Sequence, residues 1–397
     1  MNAPGRTALV LSGGGARAAY QVGVLAAIRE LLPAPRANPF PILCGTSAGA
    51  INAASLAAQA QDFHAAVTDL LEVWRNFHAG QVYRADPAGI GVSGARWLSA
   101  LMFGWMVKNS PRSLLDNAPL RGLLSERLPL GNIEHAIASG ALYAISITAS
   151  GYFSGQSISF FQGGEGIQPW HRTQRMGARV RIGVDHLLAS SAIPFIFPAI
   201  KLHREYFGDG SMRQLAPISP AIHLGAERIL VVGAGRMTEE SGRKRGDVYP
   251  SLAQIAGHAL ASIFLDSLSM DLELLQRINN TLRAMPPEFR RQFGIALRPI
   301  ETLVIAPSER LDYLAARHVR SLPWPVRVLL RGVGATSRNG SALASYLLFE
   351  QPYTEALIDL GFRDTMARRD EVCRFLDVPV PDEALPAEAP HTIGNNL

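Results

Sequence analysis

Short apolar runs and longer segments with helical spacing alternate along the chain, and the two periods predict different elements. Strands are predicted over Arg6–Leu11, Ile42–Cys44, Leu142–Ala149, Ser157–Phe161, Arg228–Gly233 and Glu301–Ala306, with one more ending at the acidic residue of His203–Gly210. Helices are predicted where apolar residues recur every three or four positions. These are Ala18–Leu32 through Val22, Leu25 and Ile28, Ala53–Phe77 through Leu56, Val67, Leu70 and Trp74, and a short Val184–Ala192 closed by Ile193-Pro194. Further on, Ser251–Leu282 reads as a long amphipathic helical region, its charges Asp266, Asp271 and Glu273 marking a solvated face. Ala342–Phe349 and Thr354–Leu360 complete the set, with Gly361 as the expected stop.

Two of the strand-to-helix passages are unusual. Gly45-Thr-Ser-Ala-Gly49 turns the apolar run at Ile42 abruptly into an Ala-rich helix, the pattern of a nucleophile elbow. Such a turn holds its central residue, Ser47, in a cramped backbone conformation with the hydroxyl above the sheet, and flanking glycines remove Cβ atoms that would clash. Ser12-Gly13-Gly14-Gly15-Ala16-Arg17 likewise joins the first strand to a helix. Glycine-rich loops at helix N-termini aim several N–H groups into one small space, which suits a phosphate, a carboxylate or a developing oxyanion. A dinucleotide reading wants a third glycine where Ala18 stands, and an acidic residue farther on than Glu30. In Phe207-Gly-Asp-Gly210 an acidic residue sits between two glycines at a strand end. The local pattern alone leaves open whether Asp209 is a plain turn residue or a placed acid.

Composition narrows the class without naming the chemistry. The 397 residues are 48% apolar and 18% charged, enough to bury a full core, and the formal net charge is +5. Basic residues gather at Arg172, Arg175, Arg179 and Arg181 and at Arg243-Lys244-Arg245, but no nucleic-acid signature accompanies them. An anionic membrane surface suits this excess better than nucleic acid does, although a solvated loop face is the simpler explanation of either cluster. Only two cysteines occur, and Cys44 falls in a predicted buried strand, which argues against a disulfide framework and fits a reducing compartment. No signal peptide is evident, and the uncharged stretch between Arg36 and Asp62 is broken by Pro39, Pro41, Gly45 and Gly49, so it reads as core and not as a membrane span. The expected location is cytoplasmic with peripheral membrane contact. The segment Arg96–Lys108, rich in Trp, Met and Phe between cations, is either an interfacial lid or a buried cap helix.

Four blocks in order, Gly13-Gly-Gly-Ala-Arg17, Gly45-Thr-Ser-Ala-Gly49, Ala189-Ser-Ser-Ala-Ile-Pro194 and Asp209-Gly210, make the chain resemble the patatin-like phospholipase family over residues 7–235. The resemblance implies an α/β fold: a three-layer α/β/α sandwich with a mainly parallel sheet, followed by a mostly helical C-terminal region. It implies a Ser–Asp dyad in which Ser47 is the nucleophile and Asp209 the base. Gly14 and Gly15 match the oxyanion-hole glycines, Gly13 shapes their loop, and Arg17 stands at the family's basic position; Gly45, Gly49 and Gly210 complete the motifs. The chain departs at Ala18 and Ser211, usually glycine and a glycine or alanine, both small replacements that bear on loop geometry.

The implied organisation is a catalytic domain over residues 1–235 with a cap or lid insertion near 80–130, a helical region over 236–377 and a disordered tail over 378–397. The implied activity is metal-free, cofactor-free hydrolysis of fatty acyl esters of phospholipids, lysophospholipids or acylglycerols at a membrane surface. No Cys/His/Asp cluster has metal-ligand spacing. Asp209 should then lie in an apolar pocket, because a carboxylate at its ordinary pKa is a poor base. Two alternatives stand beside this. One is a general esterase with a triad histidine, for which His258 is the first suspect among the residues after Asp209 (His223, His258, His318, His391). The other is a membrane-associating protein with little catalysis.

Overall fold

The computed structural model describes residues 6–33, 38–86, 113–236, 249, 251–295, 297–332, 334–335 and 340–380 of the chain. The Arg96–Lys108 segment, the basic run at 243–245, His391 and the tail beyond residue 380 lie outside these.

Among the described residues the strands form one sheet. They are β1 (Thr7–Leu11), β2 (Ile42–Thr46), β3 (Ala144–Gly151), β4 (Ser157–Gly163), β5 (Trp170–Arg172), β6 (Arg175–Arg179), β7 (Ile200–Leu202), β8 (Glu205–Asp209), β9 (Arg228–Val232) and β10 (Glu301–Ile305). The order is β10-β9-β1-β2-β3-β4-β6-β5, with β8 and β7 branching from β3. From β10 to β3 all neighbours are parallel; β4 joins β3 antiparallel. The parallel part is covered on both faces, as parallel strands require. Alternate residues of β1 show this directly: Leu9 and Leu11 enter one apolar cluster with the helices that follow, while Ala8 and Val10 enter another with Ile229, Val231 and Leu275.

The helices that shape the site are α1 (Ala19–Leu31), α2 (Ala48–Ala58), α3 (Phe63–Arg75), α4 (Ala118–Arg127), α5 (Val184–Ser190), α6 (Leu252–Ala261), α7 (Ser267–Ala284), α8 (Ser341–Leu347) and α9 (Gln351–Met366). The segment read as helical over 251–282 is α6 and α7 joined by one π turn, Ser262–Asp266. Two expectations change here. Asp271 is not on a solvated face: it accepts the Ile218 N–H at 2.9 Å, and burial raises its pKa. Gly361 does not end a helix. It lies inside α9, where a Cβ would come 2.2 Å from the Tyr20 carbonyl of α1. Gly23 of α1 meets the Ile358 carbonyl in the same way, at 2.0 Å. The two glycines let the helices touch along their backbones, so helix packing overrides the stop signal.

Register places the site. Thr46, the last residue of β2, pairs with Thr148 of β3, and the next β3 residue, Ala149, pairs with Asp209 at the end of β8. Because β4 runs along the other edge of β3, β8 must follow β2 on the same edge. The end of β2 and the end of β8 therefore converge.

Candidate active site

Ser47 sits where that convergence occurs. Its φ of 56° and ψ of −131° lie in a region that a non-glycine residue rarely adopts, at the junction of β2 and α2. The strain is held by neighbours. The Ser47 N–H donates to Ser190 Oγ at 2.8 Å, and Ser190 Oγ donates to the Thr148 carbonyl at 2.6 Å, fastening the elbow to β3 through the end of α5. Gly45 and Gly49 flank the turn where added Cβ atoms would meet Ala50 and the Leu11 carbonyl.

Asp209 is 1% exposed. Its N–H donates to the Ala192 carbonyl at 2.9 Å, and its Oδ1 accepts the Ser211 N–H at 2.9 Å. Burial pushes its carboxyl up to about 6, opposed by the Ser47 hydroxyl and by the amide and hydroxyl of Ser211, which favour the charged form. The Ser47 hydroxyl thus acts on this carboxyl, while Oδ2 has no hydrogen-bond partner among the described residues. Gly210 lets the turn press on β3, since a Cβ there would lie 2.1 Å from the Thr148 carbonyl.

The glycine loop approaches from β1. Gly15 has φ +56°, and a Cβ there would lie 2.3 Å from the Tyr346 carbonyl. No hydrogen bond of the Gly14 or Gly15 N–H is found among the described residues. Gly13 closes against Ser211 and Phe264, the latter from the π turn. Arg17 does not point at the cavity. It is buried, donates from Nε to Ser345 Oγ at 2.8 Å and lies over the Tyr346 ring at 4.0 Å, tying the loop to α8. Behind the loop a chain of buried amides runs from the Ser12 carbonyl through Gln21 and Asn52 to the Trp74 indole.

Gly15 and Ser47 open into one cavity of about 200 Å³. Its walls are mostly apolar, from α2 (Ile51), α3 (Leu70, Val73, Trp74), α4 (Leu120, Leu123, Leu124) and the Ile193–Phe197 loop. Asp209 lies behind Ser47 and does not line it. The helix around Ala118–Arg127 falls within the expected cap insertion and forms one wall. No histidine contacts Ser47 or Asp209 among the described residues. His258 is exposed on α6, His223 stacks on Trp170 at 4.8 Å and bonds Ser219, and His318 faces Tyr353. Among the described residues there is no group of three or more His, Cys, Asp or Glu that could hold a metal, and no helix long and apolar enough to cross a membrane. Both cysteines are free and buried.

The model of the patatin-like phospholipase family matches residues 9–222, more than half of the chain. The protein belongs to the patatin-like phospholipase family. This patatin-like chain is 30% identical over 213 residues to a cGAMP-activated phospholipase of Pseudomonas aeruginosa, covering 53% of each. It thus spans about half the length of the curated relative it matches. Among solved structures, it is 14% identical to human GIVD cytosolic phospholipase A2 with a fluorophosphonate inhibitor, over 94% of this chain and 59% of that one, TM-score 0.42. It is 15% identical to VipD from Legionella pneumophila, over 90% and 67%, TM-score 0.29.

The site also contains residues that sequence reasoning did not single out. Ser190 lay inside a recognised block without a role. Gln214, whose Oε1 accepts the Thr46 hydroxyl at 2.8 Å, and Asn52 had no local signal, since each acts on a residue far away in sequence.

Proposed function

We propose that this protein is a serine lipid acyl hydrolase that cleaves fatty acyl esters of phospholipids, lysophospholipids or acylglycerols. The observation that carries the reading is Ser47, strained at a strand-to-helix elbow and opening onto an apolar cavity, with a buried carboxyl of raised pKa behind it. In this reading Ser47 Oγ attacks the ester carbonyl carbon while its proton passes to Asp209. The carbonyl oxygen becomes negative and is met by the Gly14 and Gly15 amides. The ester C–O bond then breaks, the proton passes from Asp209 to the departing alcohol, and an acyl-Ser47 remains. Water attacks that acyl carbon and gives a proton to Asp209; the bond from the acyl carbon to Ser47 Oγ then breaks, Asp209 returns the proton to Oγ, and the fatty acid leaves.

The groups present supply a nucleophile, a base and oxyanion donors, so the proposed reaction draws on no metal or cofactor. A pKa of about 6 leaves Asp209 charged at neutral pH yet more basic than an exposed carboxylate. Contact with a membrane surface is part of the proposal. Phe153 and Tyr152 stand exposed beyond Asp209 at the β3 end, Phe195 stands exposed between the cavity residues Ile193 and Phe197, and Leu215 follows the Asp209 turn. The test is fatty acid release from phosphatidylcholine and lysophosphatidylcholine vesicles, with chelator present, by wild type and Ser47→Ala. Release by the wild type alone supports the reading. Equal release by both, or release that the chelator abolishes, contradicts it.

A further inference from the structure

The cavity has a direction. Along α2 the residues that line it are Ala48, Ile51, Ser55 and then Gln59 just past the helix end, a spacing of three and four that keeps them on one face. Ser47 begins this line and Gln59 ends it, which at about 1.5 Å per residue is roughly 18 Å. Most of the lining residues are apolar, and its charged members are Asp69, Glu72 and Arg127, all exposed; we place this rim at the Gln59 end, where the α2 face changes from buried Ser55 to half-buried Gln59.

We infer that α2 is the ruler for the acyl chain, which lies from Ser47 toward Gln59 with its methyl end short of the Asp69–Glu72–Arg127 rim. The inference rests on the esterase reading above and adds the chain's orientation and length to it. An extended chain advances about 1.25 Å per carbon, given C–C bonds of about 1.5 Å, so the groove holds roughly fourteen carbons. The opposite orientation would set a headgroup at the rim, where two carboxylates against one guanidinium repel a phosphate. Beyond the rim the tail returns to water, so further methylenes add nothing. Ser55 lies two-thirds of the way along, about 12 Å from Ser47, and its small side chain leaves the groove open at that point.

The test uses the full-length protein and p-nitrophenyl butyrate, octanoate, laurate and palmitate. For the wild type, kcat/KM should climb by several-fold per added pair of methylenes up to about fourteen carbons, so that palmitate exceeds laurate by no more than one such step, as burial of each methylene stops at the rim. Ser55→Phe and, from the opposite wall, Leu123→Trp should keep butyrate within about twofold and lose laurate by at least about tenfold, because a bulky ring fills the groove. Retained butyrate hydrolysis shows that a variant is folded. If laurate is unchanged in both variants, or laurate and butyrate fall together in both, the ruler is overturned.

A binding assay separates this outcome from failure of the esterase reading. Parinaric acid fluorescence is titrated with wild type, Ser47→Ala and Ser47→Ala/Ser55→Phe. Binding by the first two, weakened at least about tenfold in the third, supports the ruler even if no ester is turned over. Equal binding by all three contradicts it.

Discussion

The N–H of Ser47 donates to Ser190 Oγ at 2.8 Å. Through Ser190, the strained elbow is fastened to the Thr148 carbonyl, against which Gly210 also presses. Both proposed reacting residues are therefore positioned from one point on β3. Ser190→Ala leaves the Ser47 N–H and the Thr148 carbonyl without this partner in a buried setting. Urea unfolding should show a loss of about 1–3 kcal/mol. Steady-state kinetics should show kcat falling with KM little changed, because the nucleophile loses its position and not its substrate contacts. Unchanged kcat would mean that the elbow holds itself.

Asp209 gives two pH dependences of opposite use. In its proposed role as base it must be charged, so activity should rise with pH through about 6 and level above it. For stability the sign reverses. Its folded pKa of about 6 exceeds the unfolded value near 4, so the folded state binds the proton more tightly between them and loses stability as pH rises through that window. Asp209→Asn removes the buried charge. It should unfold at higher temperature than wild type at pH 8, by a difference on the order of 3 kcal/mol, and match it near pH 4. A thermal melt at both pH values checks this.

Helix contact through Gly23 and Gly361 predicts that alanine is harmful despite its better helix propensity. The propensity gain is at most about 1 kcal/mol, while a Cβ at either position overlaps a carbonyl oxygen of the facing helix. Gly361→Ala should lower stability by about 1–3 kcal/mol in chemical denaturation.

The exposed aromatics near the site predict a lipid-surface phenotype without a chemical one. Phe153→Asp combined with Phe195→Asp should weaken sedimentation with phosphatidylcholine/phosphatidylglycerol vesicles by about tenfold or more, from the lost burial of two rings. Hydrolysis of soluble p-nitrophenyl butyrate should stay near wild type.

Local sterics explain what could be read in advance. The elbow, the glycine loop and the Asp-Gly turn are written into a few adjacent residues, because a close backbone approach demands glycine at fixed positions. The strands predicted from apolar runs held to within a few residues, whereas Trp170–Arg172, Arg175–Arg179 and Ile200–Leu202 were not predicted: they are short, and the first two carry arginines in place of an apolar run. Gly361 misled because its reason lies on another helix: the same residue that stops a helix at a free end permits contact inside one. Asp271 misled similarly, since its acceptor role depends on Ile218. Ser190, Gln214 and Asn52 carry no local pattern at all; their partners Ser47, Thr46 and Trp74 lie on other elements. The cavity walls come from three helices and a loop, so their common lining was not legible from any one of them.

The most direct test of the account is the rate of p-nitrophenyl butyrate hydrolysis, with chelator present, for Ser47→Ala, Asp209→Ala and His258→Ala beside the wild type. The dyad predicts that the first two fall by about a thousandfold or more and that His258→Ala stays within about twofold. If Asp209→Ala keeps most of its activity while Ser47→Ala loses it, the base lies elsewhere and the dyad is wrong.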